Sequence, residues 1–205
     1  MLNAQCVIIG SPMGLNFKMG QRAKPFPKLR IMHYELRIAS SRQILIYHER
    51  HTMTHRELMT RAIELAKQAA SEGEVPVGAV IACNGEIIAE GRNMRENGKN
   101  ALYHAEIIAI DNACKALDCW RLDDCTLYVT LEPCPMCTGA IINSRIKKVV
   151  YGAYDLKAGS VDSVINLFNL PYNHRPEIQE GFMENECRQI LTDFFASLRN
   201  ESKYD

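Results

Sequence analysis

His104-Ala105-Glu106 and Pro133-Cys134-Pro135-Met136-Cys137 are the two stretches that most restrict how this chain can fold. One histidine and two cysteines make three zinc ligands, and they must meet at one point although several elements lie between them. A structural zinc usually closes its tetrahedron with four protein ligands, whereas a catalytic zinc keeps one position for water. No fourth Cys or His stands beside either half at ribbon or finger spacing. A closed structural site would need a distant ligand; Cys125 and His174 are the plausible candidates, and neither has local spacing. Glu106, two residues after the histidine, is placed to handle protons rather than to bind metal.

The totals bound the rest. A chain of 205 residues suffices for one domain with a sizeable core and is short for two. Its 47% hydrophobic and 23% charged residues are ordinary for a globular protein. Formal net charge is zero but unevenly spread. Residues 1–52 carry eight Lys/Arg against Glu35 and Glu49, a net of +6, which leaves −6 on residues 53–205. Nucleic-acid binding by the acidic part must therefore rest on a local basic patch, not on the overall field. Among the eight cysteines only Cys134 and Cys137 have metal-ligand spacing; the others show no disulfide framework. No apolar run approaches the roughly 20 residues that span a bilayer.

Residues 1–52 form a basic extension broken by Gly10, Pro12, Gly14, Pro25 and Pro27. They read as a disordered tail, a transit peptide, an alternative start ahead of Met53 or a docked extension, with a patch of order at 31–47 as a further option. From Thr54 the pattern is regular. Thr54 and Glu57 are a capping-box pair, and Leu58, Ala62, Leu65, Ala66 and Ala69 follow at helical spacing until Gly73. Residues 77–83 and 86–90 read as strands joined by Asn84-Gly85, a two-residue turn whose positions both favour positive φ. A helix is expected from about His104 to Leu117 and a central strand over 125–131. The next helix has Pro133 and Pro135 in its first turn and runs to about Ser144. A strand over 147–151, a short apolar segment over 161–170 and a helix over 184–198 complete the pattern. In that last helix Cys187, Ile190, Leu191, Phe194, Phe195 and Leu198 share one broad face. The order predicts a three-layer α/β domain around a mixed sheet.

Two residues three apart on a helix share a face, so Cys134 and Cys137 can reach one metal. Both motifs open predicted helices, where the positive dipole end favours thiolate. A zinc held there would bring the pKa of water toward about 7. Glu106 would carry the proton to a ring nitrogen and then to the leaving amine. Together the two motifs match the signature of zinc nucleobase deaminases.

From about residue 53 to 200 the chain resembles the bacterial tRNA-specific adenosine deaminases of the cytidine deaminase-like superfamily. The matching stretches are Glu74-Val-Pro-Val-Gly-Ala79, Asn93, His104-Ala-Glu106, Tyr128-Val-Thr-Leu-Glu-Pro-Cys-Pro-Met-Cys-Thr-Gly-Ala140, Ser144-Arg-Ile146, Val150-Tyr-Gly-Ala153, Asn173-His174 and Asp193-Phe-Phe195. Arg92-Asn93-Met94 lacks the aromatic-Asn-Arg of some members, and Tyr103 before the histidine is also a departure. The resemblance implies an α/β/α sandwich and hydrolysis of adenosine to inosine at the wobble position of a tRNA anticodon, in an arginine tRNA, by a homodimer with one zinc per subunit. It implies a cytoplasmic enzyme, or an organellar one if residues 1–52 are a transit peptide. Carried over by position, His104, Cys134 and Cys137 are the zinc ligands and Glu106 the proton shuttle. Asn93 holds a flipped base beside Val75, Pro76 and Ala105; Leu131 and Glu132 flank the pocket; Asp155 and Asn173 touch neighbouring nucleotides. Read from the residues alone, Arg145, Lys147, Lys148 and Lys157 are the basic cluster for phosphate contacts. Two other functions stay open: a deaminase of a free base or small metabolite (guanine, cytosine or a riboflavin-pathway pyrimidine), and a non-catalytic zinc- and RNA-binding subunit.

Overall fold

The computed structural model describes residues 52–201. The expectations for the basic extension and for order at 31–47 lie outside them, apart from Thr52. Helix α1 (His55–Ser71) starts on the expected capping box: the Glu57 N–H donates to the Thr54 hydroxyl at 3.3 Å, and the Thr54 N–H donates to the Glu57 carboxylate at 2.7 Å. Strands β1 (Gly78–Cys83) and β2 (Glu86–Arg92) form a hairpin. Its turn residues Asn84 and Gly85 have φ of 52° and 77°. Then follow α2 (Ala105–Leu117), β3 (Cys125–Leu131), α3 (Pro135–Ser144), β4 (Lys148–Ala153), a single 3-10 turn (Leu167–Asn169), β5 (Glu177–Gln179) and α4 (Glu184–Glu201).

The sheet order is β2-β1-β3-β4-β5. The pairs β1/β2 and β1/β3 are antiparallel; β3/β4 and β4/β5 are parallel, so the sheet is mixed as expected. Alternate side chains serve opposite faces. On one face Ala79, Ile81, Leu127, Val129, Val149 and Tyr151 pack with Ala105, Ala109 and Ala113 of α2 and Ile141 and Ile142 of α3. On the other, Val80, Ala82, Tyr128 and Val150 meet Leu58, Met59, Ala62 and Leu65 of α1 and Cys187 of α4. Being covered on both faces, β3 is a nearly continuous apolar run rather than an alternating one. Each fully buried Leu, Ile or Val contributes about 1.5–3 kcal/mol.

One close approach fixes α2, which has His104 as its N-cap and Glu106 in its first turn. A Cβ on Gly91 of β2 would stand 2.2 Å from the Ala105 carbonyl oxygen, so only glycine fits there. The Ala105, Ala109 and Ala113 stripe lets the helix lie that close.

The structure departs from the sequence pattern in three places. β5 was not expected; its three residues are mostly exposed and carry no apolar run. The apolar segment at 161–170 is mostly turns, with Val161 and Phe168 buried while Val164, Ile165 and Leu170 are exposed. The α4 face divides: Cys187 is buried, but Phe195 and Leu198 are 43% and 44% exposed.

Candidate active site

Strands β3 and β4 run parallel, so their carboxyl ends, Leu131 and Ala153, lie side by side. Helices α2 and α3 begin at this same end, which is where open α/β sheets place their ligands. His104 is the N-cap of α2 and Cys134 the N-cap of α3; both have extended backbone, and neither side chain makes a capping hydrogen bond. An N-cap side chain ordinarily turns back onto the helix N–H groups. These two turn toward each other instead. His104 Nδ1 lies 3.7 Å from Cys134 Sγ and 3.6 Å from Cys137 Sγ. With metal–sulfur and metal–nitrogen bonds of about 2.3 and 2.05 Å, a tetrahedral N···S edge is about 3.6 Å. The three donors therefore fit one tetrahedral cation. Among the described residues this is the one cluster that could hold a metal. The distant candidates are engaged elsewhere: Cys125 pairs in register with Cys83, and His174 Nε2 contacts the Ile146 carbonyl at 2.7 Å.

Pro135 takes the first position of α3, as expected, but Pro133 precedes the N-cap. Its carbonyl accepts from the Ser160 N–H at 2.9 Å and from the Thr138 hydroxyl, tying α3 to the loop after β4. Glu106 stands in the first turn of α2 and is 4% exposed. Burial pushes its carboxyl up to about 7. Cys134 is drawn down to about 4 by hydrogen bonds from the Cys137 thiol, from His104 and from the Cys137 N–H, while the Cys137 thiol is pushed up. His104 is raised by its hydrogen bond to Cys134. The cluster opens into a pocket of about 190 Å³ lined by Val75, Val77, Asn93, Arg95, His104, Ala105, Glu106, Leu131, Glu132, Cys134, Asp155 and Ala158. That is below the usual 300–1,000 Å³ of drug-sized sites and suits one compact planar group.

A MafB19-like deaminase profile matches residues 53–199. Over 153 residues the chain is 51% identical to the tRNA-specific adenosine deaminase of Bacillus subtilis, covering 74% of this chain and 95% of that one. The chain belongs to the tRNA-specific adenosine deaminase family. It is also 44% identical to the Haemophilus influenzae tRNA-specific adenosine deaminase over 73% of this chain and 87% of that protein. A solved structure from a study of A-to-I editing by tRNA:A34 deaminases at the wobble position of transfer RNA aligns with a TM-score of 0.65 and 41% identity, covering 66% of this chain and 99% of that one. The α/β/α sandwich is thus the cytidine deaminase-like fold.

Within this deaminase, the pocket gathers Val75, Asn93, Ala105, Leu131, Glu132 and Asp155 from the residues carried over by resemblance. Pro76 is buried beside them without lining the pocket. Asn173 lies elsewhere: its Oδ1 accepts from Arg145 Nη1 at 2.8 Å, beyond the C-terminal end of α3. A ten-residue helix separates Arg145 from the cluster by about 15 Å. Lys147 and Lys148 stand at the amino end of β4, the end of the sheet opposite the pocket. Of the basic candidates only Lys157 is near the mouth, exposed between Asp155 and Ala158. Sequence reasoning missed Arg95, the one cation lining the pocket; its signal was a lone Arg in the polar loop between Asn93 and His104.

Glu132 flanks the pocket but is 2% exposed, and its carboxylate organises the loop after β4. It accepts from the backbone N–H groups of Asp155, Val161, Asp162 and Ser163 at 2.7–3.1 Å and from the Ser163 hydroxyl. Burial by itself would raise its pKa, but these bonds outweigh burial and hold it below the ordinary glutamate value. Glu132→Gln puts an NH2 group against N–H donors and is expected to cost about 1–3 kcal/mol in urea unfolding. Because the folded-state pKa is depressed, this contribution is complete above the unfolded value of about 4.3 and disappears as pH falls through the folded one. The stability gap between wild type and variant should therefore close in acid; a gap unchanged at about pH 2 would count against the assignment.

Proposed function

We propose that this chain hydrolyses adenosine to inosine at the wobble position of a tRNA anticodon. The observation that carries it is the three-donor cluster at tetrahedral spacing with buried Glu106 beside it, inside a pocket of base size. The mixed N/S donor set suits zinc, held by His104, Cys134 and Cys137. When bound, zinc would supply a Lewis acid that brings the pKa of water toward about 7.

The remaining steps fall to the chain's own side chains. Glu106, titrating at about 7 because it is buried, can both accept and donate a proton at neutral pH. It takes a proton from the attacking water and gives it to the ring nitrogen. As the C–N bond breaks it takes the remaining proton of the added hydroxyl and passes it to the departing amine. Water adds, ammonia leaves, and the amidine becomes a carbonyl. Val75, Ala105 and Leu131 supply apolar walls that exclude other water, and Pro76 is buried beside them. Asn93 holds the base, and Asp155 and Glu132's loop meet the neighbouring nucleotides. An anticodon loop suits this site because its bases are already partly unstacked, so extruding one costs little.

Phosphate contacts belong first to Arg95 and Lys157, which stand at the pocket mouth. Arg145, joined to Asn173, and Lys147 and Lys148 would reach only more distant phosphates. We assign the deaminase domain to residues 53–205, with 1–52 as an extension, and an arginine tRNA as substrate. No helix among the described residues is long and apolar enough to cross a membrane. We place the enzyme with the cytoplasmic tRNA pool. The exposed Val164, Ile165 and Leu170 beside α3 support a homodimer through the faces near 136–146 and 161–170.

Three measurements test this. Zinc-loaded wild type should release ammonia from an anticodon stem-loop and not from free guanine or cytosine; Glu106→Ala should keep its zinc and RNA affinity while losing about 10²–10⁴-fold in turnover. Release from the free base alone would replace the reading with a small-molecule deaminase, and an unaffected Glu106→Ala would make the protein a non-catalytic RNA binder. Arg95→Ala and Lys157→Ala should each weaken stem-loop binding and lower the salt-dependence slope by roughly one; an unchanged slope would remove these contacts. Sedimentation equilibrium should report twice the chain mass, and a monomer at micromolar concentration would refute the dimer.

A further inference from the structure

Glu74 takes no part in the steps above, yet its side chain is completely buried. It follows Gly73, which has φ +80° and ends α1, and its own N–H donates to the Ala69 carbonyl at 3.0 Å. The α1–β1 junction thus holds the backbone of Glu74 in place. A carboxylate at that depth is costly unless several donors meet it. They come from the loop after β2. Glu74 accepts from the Asn97 N–H at 2.7 Å, from the Glu96 N–H at 3.2 Å and from Asn93 Nδ2 at 3.4 Å.

The last of these bonds settles how Asn93 is turned. Both Glu74 oxygens already accept from backbone N–H groups, and the end of the Asn93 amide facing them is the NH2 group. The Asn93 carbonyl oxygen is then left for the pocket that this residue lines. Arg95 belongs to the same loop, between the residues that Glu74 grips. We propose that Glu74 is a positioning residue for the deaminase reaction. It sets the Asn93 amide so that an acceptor oxygen faces the substrate, and it ties the segment bearing Arg95 to the end of α1. The complementary substrate group is a donor, a ribose hydroxyl or a base N–H. This inference rests on the functional reading above.

The test separates the two. In 15N-labelled, zinc-loaded wild type without RNA, the Asn93 side-chain amide protons should exchange slowly and resonate away from those of exposed asparagines. Glu74→Gln should remove both properties. If the wild-type Asn93 amide exchanges as freely as an exposed one, or is unmoved by Glu74→Gln, the proposal is overturned whatever the enzyme acts on. On the stem-loop, Glu74→Gln should lower kcat/KM at least tenfold, with KM rising more than kcat falls. In an Asn93→Ala background the same change should cost less than twofold, since its target is already gone. Equal losses in both backgrounds would mean that Glu74 acts through stability alone and would also overturn the proposal. Should Glu74→Gln fail to fold, the wild-type exchange measurement still decides. A wild type inactive on the stem-loop would sink the functional reading while leaving the amide measurement to judge Glu74.

Discussion

Two helix N-termini converge beside the carboxyl ends of β3 and β4, and the site depends on this convergence. At each N-terminus the residue that would ordinarily cap the helix gives up capping. His104 and Cys134 both have the extended backbone of an N-cap, and both side chains are directed to the same cluster. Their angle is set by backbone that the sheet and helices already hold. The ligand geometry therefore rests on packing, above all on how closely α2 lies against β2 at Gly91. Helix α3 contributes Cys137 one turn further on, and the dipole ends of both helices favour negative charge at the cluster.

Around the cluster, two buried carboxylates do opposite work from Glu106. Glu132 and Glu74 each gather backbone N–H groups from a loop that has little apolar surface to bury. Such loops are difficult to order by packing, and an acceptor surrounded by donors is an effective substitute. Glu132 shapes the loop carrying Asp155 and Lys157; Glu74 shapes the one carrying Asn93 and Arg95. Glu106 is equally buried, but burial dominates its electrostatics and pushes its carboxyl up to about 7. Three glutamates of similar burial thus differ in the number of donors around them.

The cluster residues were legible because ligand chemistry is specific to residue type and spacing. The central strand and the capping box were legible for similar reasons: each is a local pattern with a local physical cause. The basic candidates were not. Arg145, Lys147 and Lys148 lie at or just before the start of the β4 strand whose other end approaches the pocket, and only strand polarity shows that they stand away from it. Asn173 is likewise drawn off by Arg145. Strand β5 was invisible because three mostly exposed residues leave no hydrophobic signature.

By itself the sequence determined the His-Cys-Cys set that could hold a metal, the glutamate beside it and the layered α/β pattern, since each follows from side-chain chemistry or short-range periodicity. Only the tertiary structure decided which end of the sheet is the working end, which cations reach it, and that Glu74 and Glu132 serve as loop anchors. Those outcomes come from strand direction and from contacts between segments far apart in the chain, and no local pattern of residues encodes them.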